Sequence, residues 1–244
     1  MLLSAIDQEI KQWIITGYRS TQTYLHLPLT LSMLRFEGYK KIYGSGTVLE
    51  IPELVLPYGI YWLRGENGAG KSTLLKSAAA LIPFEGDIFS NEWSLKKNRR
   101  PYLRQVNFAP AEPVYPDFLT GNDLIAFYQQ TKGSFPDTVA FLTDRFGMKH
   151  YLDRKLGGYS SGMLKKLSLV LAFIGEAKWI LLDEPFVTLD AAAQQELAQY
   201  IRQRATGDAT GFCISTHQDL LDMQHDVLEI ADHKIVRTHA AATP

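Results

Sequence analysis

One cysteine, Cys213, stands in 244 residues. A single thiol closes no intramolecular disulfide, which excludes a disulfide-stapled scaffold and suits a reducing, intracellular compartment. No apolar run reaches the roughly 18 residues that a membrane-spanning helix needs. Asp7 and Glu9 interrupt the apolar stretch near the N-terminus, so it does not read as a signal peptide. Neither sign of charge dominates: Lys plus Arg is 25, Asp plus Glu is 26, and the net charge is -1. Coating nucleic acid needs a clear excess of Lys and Arg, so that is excluded as the main activity, though a local basic patch is not. Internal repeats and low-complexity linkers are also missing. What is there is 46% hydrophobic and 21% charged, the balance of a soluble globular protein whose core needs no metal or disulfide staple.

Residues 1–28 read differently from the rest. Leu2, Leu3, Ile6, Ile10, Trp13 and Ile14 recur at helical spacing, with Asp7, Gln8, Lys11 and Gln12 opposite, and a polar stretch leads to Pro28. This predicts a short amphipathic extension that packs on its own domain or on a second copy. Its polar face is not rich in Lys and Arg, which argues against membrane-surface contact. From Leu29 onward strands and helices alternate. Strands are expected at 29–37, 48–56, 60–64, 105–109, 179–183, 212–215, 227–231 and 234–237, and helices at 71–80, 121–130, 138–146, 161–173 and 191–204. Several strands are continuous apolar runs, as parallel strands covered on both faces should be. The fold class is therefore α/β. The basic run Lys96, Lys97, Asn98, Arg99, Arg100 reads as a solvated hairpin tip.

Between the third strand and the first of these helices lies Gly65-Glu66-Asn67-Gly68-Ala69-Gly70-Lys71-Ser72, followed by Thr73. Glycines let successive backbone N–H groups turn inward around an anion, and the following helix adds the positive end of its dipole. In such a phosphate-binding loop Lys71 reaches the β and γ phosphates and Ser72 ligates Mg²⁺. Trp179-Ile180-Leu181-Leu182-Asp183-Glu184 is an apolar strand that delivers two adjacent carboxylates at its C-terminal end, where open α/β sheets bind ligands. Asp183 suits a Mg²⁺ ligand, and Glu184 suits polarising a water. Tyr159-Ser160-Ser161-Gly162-Met163 opens a helix; taken alone, Ser160 or Ser161 is an ordinary N-cap. His217 follows the strand at 212–215, where a neutral imidazole can donate to a phosphate or be only a surface residue.

Taken in order, the phosphate-binding loop, Tyr-Ser-Ser-Gly-Met, Leu-Leu-Asp-Glu-Pro, Thr188-Leu189-Asp190 and Ser215-Thr216-His217 resemble the nucleotide-binding subunit of an ABC transporter, over about residues 29–237. The resemblance implies a P-loop NTPase fold with a RecA-like parallel-sheet core, an antiparallel β subdomain and a helical subdomain at about 117–165, within an ATP-binding domain at 29–240. It implies ATP and Mg²⁺ as ligands. Asn67, Gly68, Ala69, Gly70, Lys71, Ser72 and Thr73 would hold the phosphates, and Tyr43 would stack on adenine. Ser160 and Gly162 would close over the ATP of a second subunit, with Asp190 coupling the two sites. Glu184, His217 and Lys71 would carry catalysis. The implied partners are a second ATP-binding subunit, head to tail, and a transmembrane permease met by the helical arm, which places the chain in the cytoplasm on the inner face of the cell membrane. The signature variant Tyr-Ser-x-Gly-Met is similar to that of exporters of the bacitracin and sodium extrusion type. A soluble ABC-type ATPase of assembly or remodelling, such as iron–sulfur cluster assembly, is the alternative.

One loop departs from that pattern. After the strand ending at Ala109 the family carries a glutamine; here the segment reads Ala109-Pro110-Ala111-Glu112-Pro113. Glu112 is the nearby side chain that can reach Mg²⁺ or water, so it joins Ser72 and Asp183 in the expected metal set, and the isolated subunit is expected to turn over slowly. Ala111→Gln should then raise basal turnover and Glu112→Ala should lower it. Steady-state phosphate release from the purified proteins checks both.

Overall fold

A computed structural model of the chain describes residues 33–44, 46–218, 220 and 223–239. The extension expected at 1–28 lies outside them. The first hairpin pairs β1 (Met33–Tyr43) with β2 (Gly46–Pro57), antiparallel from Met33 opposite Pro57 to Tyr43 opposite Gly46. β1 runs past the expected end at Glu37 because its alternation changes phase there. Leu34 and Phe36 point inward, and then Tyr39 and Lys41 do. The change falls at Gly38, whose φ is 55°, and the pairing with β4 (Glu85–Ser90) slips between Glu37 and Lys40. β4 turns through Asn91, φ 55°, into the two-residue β5 (Trp93–Ser94), completing a sheet in the order β2-β1-β4-β5. The sequence reading did not include β4 and β5.

The second sheet holds β3 (Ile60–Gly65), β6 (Val106–Ala109), β7 (Trp179–Asp183), β8 (Gly211–Ser215), β9 (Asp226–Ala231) and β10 (Lys234–His239) in the order β10-β9-β3-β8-β7-β6. All its pairings are parallel except β9 with β10. Every residue of β7 and β8 is buried, so both faces of the sheet are covered. Tyr61, Leu63, Trp179, Leu181 and Cys213 share one core with the antiparallel sheet and helix α1 (Lys71–Ala78). Ile180, Leu182, Phe212 and Ile214 share the other with α3 (Gly121–Lys132), α4 (Pro136–Arg145), α5 (Ser161–Ala172) and α6 (Ala191–Gly207). Trp179 is fully buried and stacks on Tyr61, centroids 5.9 Å apart. Burial pushes the Cys213 thiol up to about 12.

Local chemistry sets the ends. Thr120 and Asp123 form a capping box that starts α3. α1 stops at Ala78, two residues before the expected end, where Ala80 takes φ 61° and its N–H donates to the Ser77 carbonyl. The basic run is exposed, as expected, but it is not a hairpin tip: Lys96 and Lys97 sit in a turn, and Arg99 and Arg100 open α2 (Arg99–Gln105).

Gly86, φ 80°, lies so close to β1 that a Cβ there would stand 2.1 Å from the Gly38 carbonyl oxygen. Neither backbone can retreat without breaking the β1–β4 pairing. Gly86→Ala should therefore lower stability by about 2–4 kcal/mol, read as a lower urea midpoint at unchanged slope.

Candidate functional site

Register brings the site together. Leu63 and Asp183 both pair with Ser215, from opposite sides, so β3, β8 and β7 end at one edge of the sheet. β3 runs through Gly65 into the glycine-rich loop, and the loop feeds α1. Gly65, φ 150°, has no room for a side chain: a Cβ would lie 2.8 Å from the Ile230 carbonyl oxygen. Gly70, φ 109°, occupies the N-cap of α1 in a left-handed turn that aims the first N–H groups of the helix back into the loop. Lys71 is buried over the loop, and its ammonium donates to the carbonyls of Gly65 at 2.7 Å and Glu66 at 3.0 Å.

A cavity of about 280 Å³ opens here. Asn67, Gly68, Gly70, Lys71, Ser72 and Thr73 line one side, and Glu184, Ser215 and His217 the other. The Ser72 hydroxyl donates to Asp183 Oδ1 at 3.0 Å. Asp183 is 1% exposed, and no cationic side chain pairs with its carboxylate among the described residues. A buried carboxylate without an ion-pair partner beside a hydroxyl is a fitting seat for a hard divalent cation whose other ligands would be phosphate and water. Glu184 has a left-handed backbone, φ 46°, an uncommon state for a residue with a Cβ, and its side chain lines the cavity beside His217. Its N–H donates to the Ser215 carbonyl at 2.8 Å. Its Oε1 lies 3.5 Å from His217 Nε2, and its Oε2 is buried with no hydrogen-bond partner.

The other expected residues lie outside this cavity. Tyr43 is 53% exposed, with the Lys41 ammonium 4.3 Å above its ring. Ser160 caps α5, accepting from the Met163 N–H at 3.3 Å. Gly162 packs against the loop before α6, where a Cβ would meet the Thr188 carbonyl oxygen at 2.8 Å. Asp190 caps α6 through the Ala193 N–H at 2.9 Å and binds the Lys166 ammonium at 2.7 Å. These contacts hold its carboxyl below the usual range, the lysine first. Glu112 is exposed and borders a larger cleft of about 540 Å³ that touches the site at Ser72 and Asp183. Among the described residues no three His, Cys, Asp or Glu side chains gather as a metal cluster.

Sequence reasoning missed Lys165. It is 1% exposed, and its ammonium donates to the carbonyls of Pro110, Ala111 and Asp183. Burial brings it down to about 8, while Asp183, Glu184 and Glu112 pull it back up. One signal was available: Lys165 sits at helical spacing with the buried Leu169 and Ala172, on the inward face of α5.

The family described as ABC transporter matches residues 55–187. The lantibiotic transport ATP-binding protein SrtF of Streptococcus pyogenes is 31% identical over 193 residues, 76% of this chain and 80% of that protein. The cytochrome c biogenesis ATP-binding export protein CcmA of Legionella pneumophila is 33% identical over 164 residues, 66% of this chain and 80% of that protein. A solved structure described as the ATP binding subunit of an ABC transporter superposes with a TM-score of 0.75 at 25% identity, covering 85% of this chain and 90% of that one.

The two bonds from the Lys71 ammonium go to its own loop and not to the core. Lys71→Ala should weaken ATP binding by about 10–100-fold, the worth of a charge-assisted contact, with little change in melting temperature. Calorimetric titration beside a thermal melt separates the two quantities.

Proposed function

Because this chain belongs to the ABC transporter family, as an ATP-binding and ATP-hydrolysing subunit, we propose that it powers export through a separate membrane permease from the inner face of the cell membrane. The export direction is supported by Tyr-Ser-Ser-Gly-Met at 159–163 and by the similarity to CcmA, an ATP-binding export protein; the similarity to SrtF, of lantibiotic transport, supports transport. Those relatives also favour transport over a soluble assembly ATPase. Among the described residues no helix is long and apolar enough to cross a membrane.

The observation that carries the chemistry is the pair of carboxylates at the end of β7, Asp183 beside a hydroxyl and Glu184 lining the phosphate cavity with one oxygen left without a hydrogen-bond partner. The phosphates of ATP lie along the loop's N–H groups, and Lys71 exchanges its carbonyl partners for phosphate oxygens. Ser72 and Asp183 would hold Mg²⁺, which would supply charge neutralisation on those oxygens. The Glu184 carboxylate accepts a hydrogen bond from the attacking water and orients it toward the terminal phosphorus. The water oxygen bonds to phosphorus, the bond to ADP breaks, and the proton passes toward the carboxylate. His217 beside Oε1 limits the rotation of that carboxylate. Tyr43, covered on one face by Lys41, offers the other to adenine.

Ser160, Gly162 and Asp190 line no part of the phosphate cavity of their own chain. They serve the ATP of a second subunit, and the functional unit is a head-to-tail dimer whose helical arm, about 117–165, meets the permease. Glu184→Gln keeps the shape of the site and removes the proton acceptor. It should bind ATP, lose turnover by at least about 100-fold, and elute as a dimer with ATP in size-exclusion chromatography. A strict monomer at high protein and ATP concentrations counts against the dimer.

A further inference from the structure

An ammonium has three N–H donors, and Lys165 spends all three on main-chain carbonyls: Pro110 at 2.9 Å, Ala111 at 2.9 Å and Asp183 at 3.0 Å. Among the described residues no side chain accepts a hydrogen bond from it. The lysine rises from α5, five residues beyond the Ser160 cap, and crosses beneath the site to two other segments. One is the loop after β6, at the position where the family resemblance expects a glutamine and this chain has Ala111. The other is the last residue of β7.

The bond to Asp183 has a specific mechanical meaning. The Asp183 carbonyl and the Glu184 N–H belong to one rigid peptide plane. Lys165 holds the carbonyl end, and the Ser215 carbonyl holds the N–H end at 2.8 Å. The plane is thus fixed from both sides, across two strands and one helix. Its orientation is tied to φ of Glu184, the left-handed 46° of the residue whose side chain lines the phosphate cavity. A strained backbone of this kind persists only where its surroundings over-determine it. Burying a lysine is unfavourable, and an apolar residue would fill the same volume on the inward face of α5 beside Leu169 and Ala172.

We infer that Lys165 is a positioning residue for hydrolysis: it fixes the peptide that aims Glu184 and ties that peptide to the loop at Pro110 and Ala111, taking over by main-chain contacts the link between loop and site that a loop glutamine would make. The inference rests on the hydrolytic role proposed for Glu184. Its reach is set by the loop, which lines the 540 Å³ cleft through Pro110, Ala111 and Glu112. A partner that displaces the loop pulls on Lys165 and, through it, on the Glu184 peptide.

The test compares wild type, Lys165→Met, Lys165→Gln and Glu184→Gln as purified full chains. Each variant is read for melting temperature, for ATP affinity by calorimetric titration, and for kcat and KM by phosphate release. Methionine fills the space and offers no donor; glutamine offers two N–H groups. The expected result is a kcat lowered at least tenfold in Lys165→Met and less in Lys165→Gln, with ATP affinity within about twofold of wild type, because the phosphate loop makes no bond to Lys165. Hydrogen exchange of the peptide containing residues 109–116 should also rise in both. Loss of affinity and kcat in step with loss of folded protein would show a merely structural lysine and overturn the inference. If Lys165→Met fails to fold, Lys165→Gln decides: wild-type kcat and unchanged exchange at 109–116 overturn it. A dead Glu184→Gln beside an unimpaired Lys165→Gln sinks this inference alone, whereas an active Glu184→Gln sinks the Glu184 reading and the inference with it.

Discussion

Ser215 pairs with Leu63 on one side and with Asp183 on the other, and the geometry of the site hangs on that row. Parallel strands in register must end together, so loops that are far apart in the chain leave the sheet at the same edge. A slip of one residue between β7 and β8 would send Asp183 to the opposite face and part it from Ser72. The packing guards the register. β7 and β8 are buried throughout, with Trp179, Leu181 and Cys213 facing one core and Ile180, Leu182, Phe212 and Ile214 the other. Gly211, opposite Trp179, has no Cβ because one would lie 2.7 Å from the indole.

α5 is fastened to the same edge from both ends. Near its start Lys165 reaches the loop after β6 and the end of β7. At its finish Asn107 of β6 donates to the carbonyl of Ala172, an acceptor that the end of a helix leaves open, and to that of Ile174 just beyond it. Between these ties the signature glycine packs against Thr188, and Lys166 pairs with Asp190. The surface that carries Ser160 and Gly162 is therefore built on the strand that carries Asp183 rather than hinged beside it.

What the sequence made legible was local. The spacing of Gly65, Gly68, Gly70, Lys71 and Ser72 states its chemistry within eight residues, and Asp183-Glu184 after four apolar residues states its place at a strand end. Both are found where they were expected. The roles assigned to Tyr43, Ser160, Gly162 and Asp190 came from resemblance, because their meaning lies in a second nucleotide site or in the base. The unread features depend on contacts between distant segments. Gly86 is a glycine because β1 presses on it, and no window around residue 86 contains Gly38. β5 is two residues long and carries no period of its own. Lys165 went unread because its three acceptors lie 18 to 55 residues away.

Cys213 sits in the middle of β8, fully enclosed, with its thiol pushed far from ionisation. Thiolate is the species that alkylating reagents attack, and the sequence contains no other sulfhydryl. The native chain is thus silent toward maleimides while it stays folded. A cysteine introduced on any exposed surface becomes the sole attachment point for a fluorophore or spin label, with no background to remove first. The same silence makes the unmodified protein a gauge of its own unfolding, since reactivity appears only when β8 opens.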